Sequence, residues 1–350
     1  MSSDYRLLGR TGVRVSPLCL GTMLFGGKAS TADACDMVDF AIDSGVNFID
    51  TANVYVNGES EKTVGAALKR NGHRDFVVLA SKCHGNMFKE GSPGTSDLHA
   101  KMNPNRWGNS RRQIIEQCEV SLQRLQTDYI DLYQIHRPHI ECAIDETLRA
   151  FDDLVRSGKV RYIGCSTFAA WQVVESLWTS KELGLNRFIS EQPPYHLLDR
   201  RIERELIPMA QTFGMAVLPW SPLASGFLTG KYRRGSDAPS DARVTKDSPR
   251  SKELMTSAAY DVVERVIEIA DEKGCTPSQV ALAWNMNQPG ITAPIVGPRT
   301  MEQLKDNLGA FEVEITKDDE ARLDEVSPPG RAVVPYYEAS FRPHSYRTVL

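Results

Sequence analysis

No apolar run in this 350-residue chain approaches membrane-spanning length, and Met1 to Arg10 hold no apolar signal core. A cytoplasmic protein without a membrane partner is the resulting expectation. Basic residues form no stripe or block and the formal net charge is only -4, which argues against nucleic acid as a partner. Cysteine is sparse and scattered: Cys19, Cys35, Cys83, Cys118, Cys142, Cys165 and Cys275 are odd in number and include no C-x-x-C pair. Free thiols in a reducing compartment are the natural reading. His84, His136 and His139 are present, but no H-x-H follows the first strand and no cysteine pair accompanies them, so no bound metal is expected. The first strand–helix turn lacks a G-x-G-x-x-G fingerprint, which weighs against an open doubly wound sheet.

The chain does have a regular alternation. Tyr5-Arg6-Leu7-Leu8 and Val13-Arg14-Val15 flank the turn Gly9-Arg10-Thr11-Gly12 and read as a hairpin. Eight short apolar runs follow, at 18–21, 46–49, 76–80, 129–135, 160–164, 188–190, 216–218 and 293–296. Thr31, as N-cap, opens a helix to Ser44 with Ala34, Met37, Val38, Ala41 and Ile42 on one face. Further helices are expected over 60–70, 110–125, 145–156, 169–183, 202–213, 259–273, 277–287 and 301–308. Strand–helix alternation argues for a parallel sheet, and eight such units closing on themselves make an α/β (β/α)8 TIM barrel. The expectation is one domain over 1–350: a hairpin at 5–15 capping the bottom, the barrel at 17–326 and a tail at 327–350. Long polar loops at 84–109 and 232–257 follow strands directly and belong on the face of the C-terminal strand ends.

Asp50, Lys82 and His136 each stand at the C-terminal end of one of these runs, and Tyr55 follows Asp50 within one short loop. In a parallel barrel those ends gather on the face where chemistry is done. Taken singly, each residue has an ordinary explanation: a solvated lysine or tyrosine, an aspartate opening a turn, a satisfied core histidine. Together they form a proton-transfer set. A free phenol ionises near pH 10, an adjacent ammonium favours the phenolate, and a carboxylate keeps a buried amine charged. An imidazole orients the reacting oxygen or relays a proton. Such a set suits protonation of a carbonyl oxygen while something else attacks the carbon.

Asp50-Thr51-Ala52-Asn53-Val54-Tyr55, Gly58-Glu59-Ser60-Glu61, Ser81-Lys82 and Asp128 through His136-Arg137-Pro138 resemble the signatures of the aldo-keto reductases, and the likeness covers nearly the whole chain. The resemblance implies a (β/α)8 barrel, a catalytic tetrad of Asp50, Tyr55, Lys82 and His136, and NADPH as cofactor. Tyr55 would be the general acid. It also implies a cofactor site of Gly21, Thr22 and Met23, with Asp50, then Ser166 and Gln192 on the nicotinamide carboxamide. Trp220 would stack on the ring. The segment Ser221, Pro222, Leu223, Ser225, Gly226, Leu228 and Lys231 would wrap the pyrophosphate. Gly297, Arg299, Gln303 and Asn307 would take the adenosine end, with Arg299 on the 2′-phosphate. Thr167 departs from the common Ser-Asn pair. The stretch Gly226 to Lys231 suggests a Walker A loop but is one residue short, with Tyr232 where Ser or Thr would hold Mg²⁺.

The implied substrate is a small-molecule carbonyl compound. The tail from Tyr336 to His344 resembles that of aldo-keto reductases acting on nucleotide-linked deoxysugars, with Arg106, Trp107, Arg111, Arg112 and Arg342 as diphosphate contacts. A general aldehyde or ketone reductase fits equally. A metal-dependent hydrolase and a non-catalytic nicotinamide-binding subunit of an ion channel are the rivals from other classes.

Overall fold

Inward-facing residues at every second strand position decide the architecture. The structure is a computed structural model and describes residues 5–85, 105–139, 141–235 and 254–336. A hairpin of β1 (Arg6–Leu7) and β2 (Arg14–Val15) precedes eight parallel strands: β3 (Cys19–Gly21), β4 (Phe48–Asp50), β5 (Val78–Cys83), β6 (Ile130–Ile135), β7 (Val160–Ser166), β8 (Phe188–Gln192), β9 (Ala216–Val217) and β10 (Ile295–Val296). They pair in chain order, with β10 beside β3. Single bridges from Val217 to Ile291 and Trp220 to Ile295 close the seam between β9 and β10. The sheet is thus a (β/α)8 barrel, as expected.

Inside it, Cys19, Phe48, Val78, Leu132 and Ala216 form an apolar plug. Leu8 and Val15 of the hairpin join that plug, and Arg6 Nη1 donates to the carbonyls of Met286, Ile291 and Thr292 at 2.7, 3.2 and 3.2 Å. The hairpin therefore closes the end where the strands begin. Further along the same strands the side chains turn polar: Asp50 on β4, Lys82 on β5, Gln134 on β6 and Ser166 on β7, all buried. Gly164 on β7 leaves room for them, since a Cβ there would meet Ser190 Oγ at 2.3 Å and Gln134 Cγ at 3.2 Å. A second, larger apolar core lies between the sheet and the outer helices. No helix among the described residues is long and apolar enough to cross a membrane.

Several expected boundaries shift. Ser30, not Thr31, caps the helix Thr31–Asp43: it holds an extended backbone and its Oγ accepts from Asp33 N at 3.2 Å. The helix expected over 202–213 is Leu206–Phe213, preceded by a separate turn at Arg201–Glu203. Pro208 has no amide to donate and is accommodated only in a first helical turn. A helix at Lys317–Val326 has no counterpart in the sequence reading; its mark is a capping box, with Thr316 Oγ1 accepting from Asp319 N and the Asp319 carboxylate from Thr316 N at 2.8 Å. The strand β5 continues past the expected end at Ala80 to Cys83, because the polar Ser81 and Lys82 sit at its buried upper end. Expectations for most of the 84–109 and 232–257 loops, and for the tail beyond Tyr336, fall outside the described residues.

Candidate active site

Neighbouring strands bring the carboxylate and the amine together. Asp50 on β4 stands in register with Ala80 of β5, and Lys82 lies two residues further on. Lys82 is fully buried and Asp50 is 2% exposed. Lys82 Nζ donates to Asp50 Oδ1, to Thr51 O at 2.9 Å and to Tyr55 Oη at 3.1 Å, which uses its three protons. Burial pulls the ammonium downward, but the Asp50 carboxylate and the Tyr55 oxygen outweigh it and hold Lys82 above its ordinary value. The other Asp50 oxygen accepts from Gln192 Nε2 at 3.0 Å and Gln134 Nε2 at 3.3 Å. The Tyr55 and His136 rings meet edge-on with centroids 5.7 Å apart. Burial first, then the charges of Arg137 and Lys82, keeps His136 well below the usual imidazole range, so its ring is neutral at neutral pH.

A cavity of about 580 Å³ opens over this cluster. Asp50, Tyr55 and His136 line it, as do Gly21, Thr22, Met23, Ser166, Gln192, Trp220, Ser221, Pro222, Leu223, Ser225, Gly226, Lys231, Gly297, Arg299, Gln303 and Asn307. Lys82 lies beneath the wall. Leu228 is not among the lining residues; its side chain is fully buried in the outer apolar core. Gln192 and Ser166 stand at the wall but are already linked, Gln192 to Asp50 and Ser166 Oγ to Gln192 O at 2.8 Å. The turn after Trp220 is left-handed at Ser221, Ala224, Ser225 and Gly226. Gln303 Oε1 accepts from Arg299 N at 2.9 Å, and Thr300 caps the helix Met301–Leu308.

Two charged lining residues, Lys28 and Asp306, lie in no motif of the sequence reading. Lys28 is an exposed loop residue after β3, and Asp306 accepts from Thr276 Oγ1 at 2.8 Å. Lys28, Arg137, Lys231 and Arg299 face only two carboxylates among the described lining residues, Asp50 and Asp306, and Lys82 neutralises the first. The described lining thus offers four cationic side chains that suit an anionic, phosphate-bearing ligand. The other arginines considered for such a ligand are elsewhere. Arg106 pairs with Glu116 at 3.7 Å, Arg111 pairs with Asp153 on the neighbouring helix, and neither they nor Arg112 or Trp107 line the cavity. Trp107 instead packs on His139, with ring centroids 4.7 Å apart. Arg342 lies outside the described residues.

Glu191, beside Gln192 on β8, supports the wall from behind. It is fully buried, and its Oε1 accepts from Phe168 N at 3.0 Å. The turn it holds includes Thr167, whose φ of 60° is unusual for a β-branched residue. Burial pushes the Glu191 carboxyl up from 4.5 to about 8, against the Cys165 contact, the amides of Phe168 and Thr167 and the charge of Arg137. The unfolded chain releases this proton near the ordinary value and the folded one only near the raised value. Stability therefore falls as pH rises between the two and stays lowered above them. Glu191→Gln fixes the neutral form, so its stability relative to the parent is expected to rise by a few kcal/mol, on the order of magnitude of the shift, from about pH 5 to about pH 9. Thermal unfolding across that range checks this; parallel curves for the two proteins would contradict it.

The aldo/keto reductase family model matches residues 17–328. The chain is 38% identical over 330 residues to the uncharacterized oxidoreductase YrpG of Bacillus subtilis, covering 93% of this chain and 96% of that protein. It is 34% identical over 339 residues to a versiconal hemiacetal acetate reductase of Aspergillus parasiticus, with 92% and 96% covered. A probable voltage-gated potassium channel subunit beta of Arabidopsis thaliana is 35% identical over 317 residues, with 89% and 92% covered.

Proposed function

Because the chain belongs to the aldo/keto reductase family, we propose that it is an NADPH-dependent oxidoreductase that reduces the carbonyl group of a small molecule. The observation that carries this reading is the buried Asp50–Lys82 pair, whose ammonium bonds to the Tyr55 oxygen in the wall of a cavity lined by basic side chains. The residues present fit a phosphorylated dinucleotide. Ser166 and Gln192 would hold its carboxamide end and Trp220 would cover the ring. Ser221, Ser225 and Lys231 would meet the pyrophosphate, and Arg299, Gln303 and Asn307 the adenosine end. When bound, the nicotinamide supplies the hydride.

The chain's own residues do the proton chemistry. Tyr55 donates its hydroxyl proton to the carbonyl oxygen. Lys82, already donating to that phenol oxygen, stabilises the negative charge left on it. Asp50 and the Thr51 carbonyl hold the ammonium in place, and Gln134 and Gln192 hold Asp50. Neutral His136 offers a ring N–H that orients the substrate oxygen. Arg299→Ala is expected to weaken NADPH binding about 10–100-fold, the scale of a lost charged hydrogen bond, and to leave NADH binding nearly unchanged. Titration with both nucleotides checks this; equal losses would mean that Arg299 does not meet the 2′-phosphate.

The substrate class extends the proposal to nucleotide-linked keto-sugars or to aldehydes and ketones at large. Arg106 and Arg111, two of the diphosphate contacts that the first class would use, are engaged in exposed ion pairs that such a ligand would have to displace. Optical assay of NADPH consumption with a panel holding both classes decides between them. NADPH binding with no carbonyl turned over would support a regulatory nicotinamide-binding subunit instead.

A further inference from the structure

We propose that Tyr336 is a positioning residue for the phosphate-bearing ligand of this cavity, tying down the turn that holds Ser221 and Ser225 and orienting the Ser221 hydroxyl. This rests on reading the cavity as a dinucleotide site. Tyr336 is only 2% exposed, although it lies beyond the last barrel helix. The chain leading to it is pinned to the loop after β8. Arg200 N donates to Arg331 O at 2.8 Å, and Val333 N and Val334 N both donate to Leu198 O, at 2.9 and 3.0 Å. The Tyr336 ring then packs edge-on against His196, with centroids 4.4 Å apart. This places Tyr336 Oη 2.5 Å from Ser225 Oγ, and it donates to Ser221 Oγ at 3.3 Å.

Both serines line the cavity, and both hold left-handed backbone, with φ of 55° at Ser221 and 58° at Ser225. Serine adopts that conformation uncommonly. The phenol bridges the two and ties the turn down. It also settles where protons go. A phenol has one proton, and each serine has one proton and two lone pairs. When Ser225 donates to Tyr336 and Tyr336 to Ser221, the Ser221 proton is left for the cavity. The donation from Tyr336 to Ser221 selects this arrangement, which presents the Ser221 hydroxyl to an anionic ligand, and the chain of hydroxyls polarises that donor. By linkage, ligand binding and docking of the segment 331–336 favour each other.

Tyr336→Phe keeps the ring and removes the oxygen. The test measures dissociation constants for NADPH and NADH by fluorescence, in the parent, Tyr336→Phe, Ser221→Ala and the double variant. The dissociation constant of Tyr336→Phe is expected to rise about 3–10-fold, the scale of one neutral hydrogen bond. The loss falls equally on NADPH and NADH, because the pyrophosphate is common to both, unlike the loss expected for Arg299→Ala. In the Ser221→Ala background, where the donor that the phenol orients is gone, removing the phenol oxygen is expected to cost less than about twofold more. Unchanged affinity in Tyr336→Phe, or fully additive losses in the double variant, would overturn the inference while the cofactor assignment stands. A parent that binds neither nucleotide would overturn both.

Discussion

Tyr55→Phe is expected to lower the rate of carbonyl reduction by about 10²–10⁴-fold, the usual worth of a positioned acid, with NADPH affinity nearly unchanged. The substitution removes one oxygen. The ring and its edge-on contact with His136 remain, and the cavity loses no charge. What disappears is the hydroxyl bonded to the Lys82 ammonium. A loss in the chemical step without a loss in binding marks an interaction made in the transition state alone. Steady-state kinetics with nucleotide titration measure both quantities. A variant turning over a good substrate at nearly the parent rate would remove Tyr55 from the role of acid and leave the cofactor site standing.

Asp50→Asn has the largest expected effect on stability, because it strands a charge. Lys82 is wholly buried, and among the described residues the Asp50 carboxylate is its only anionic partner. Removing one partner of such a pair typically costs about 3–5 kcal/mol. In the parent, the folded state holds Lys82 above its ordinary 10.5. The contribution of the pair is therefore complete below that pH and fades only as pH rises through the higher folded value. The gap between parent and variant is accordingly flat across neutral pH. Denaturant unfolding measures it, and a variant within about 1 kcal/mol of the parent would contradict this account of the pair. Carbonyl reduction fails in the same variant, since the ammonium no longer has a fixed place beside Tyr55.

Much of this was legible in the sequence. The barrel was, because eight apolar runs alternate with helical periodicity and the inner face of each strand is set by a period of two. The grouping of Asp50, Lys82 and His136 followed from their position at strand ends, a local property that the parallel topology converts into proximity. Legibility ended where contacts depend on chain folding rather than on local pattern. Tyr336 meets Ser225 across 111 positions, and no motif joins them. Lys28 and Asp306 reach the cavity from a loop and a helix whose local sequence looks like ordinary surface. Arg111 looked available as a ligand contact, but its helix places it against Asp153. Leu228 sits within the loop that borders the cavity, and its apolar side chain is buried in the outer core. The helix Lys317–Val326 carried a capping signal, but its acidic composition offered little periodicity to read.

The central claim is that this cavity transfers a hydride from a nicotinamide to a carbonyl carbon. Incubating the protein with a ketone and NADPH deuterated at both C4 positions of the nicotinamide tests it most directly, with mass spectrometry of the alcohol formed. The account predicts one deuterium on the carbinol carbon of each product molecule. An alcohol formed without deuterium, or NADPH bound with no carbonyl in a broad panel reduced, would contradict it.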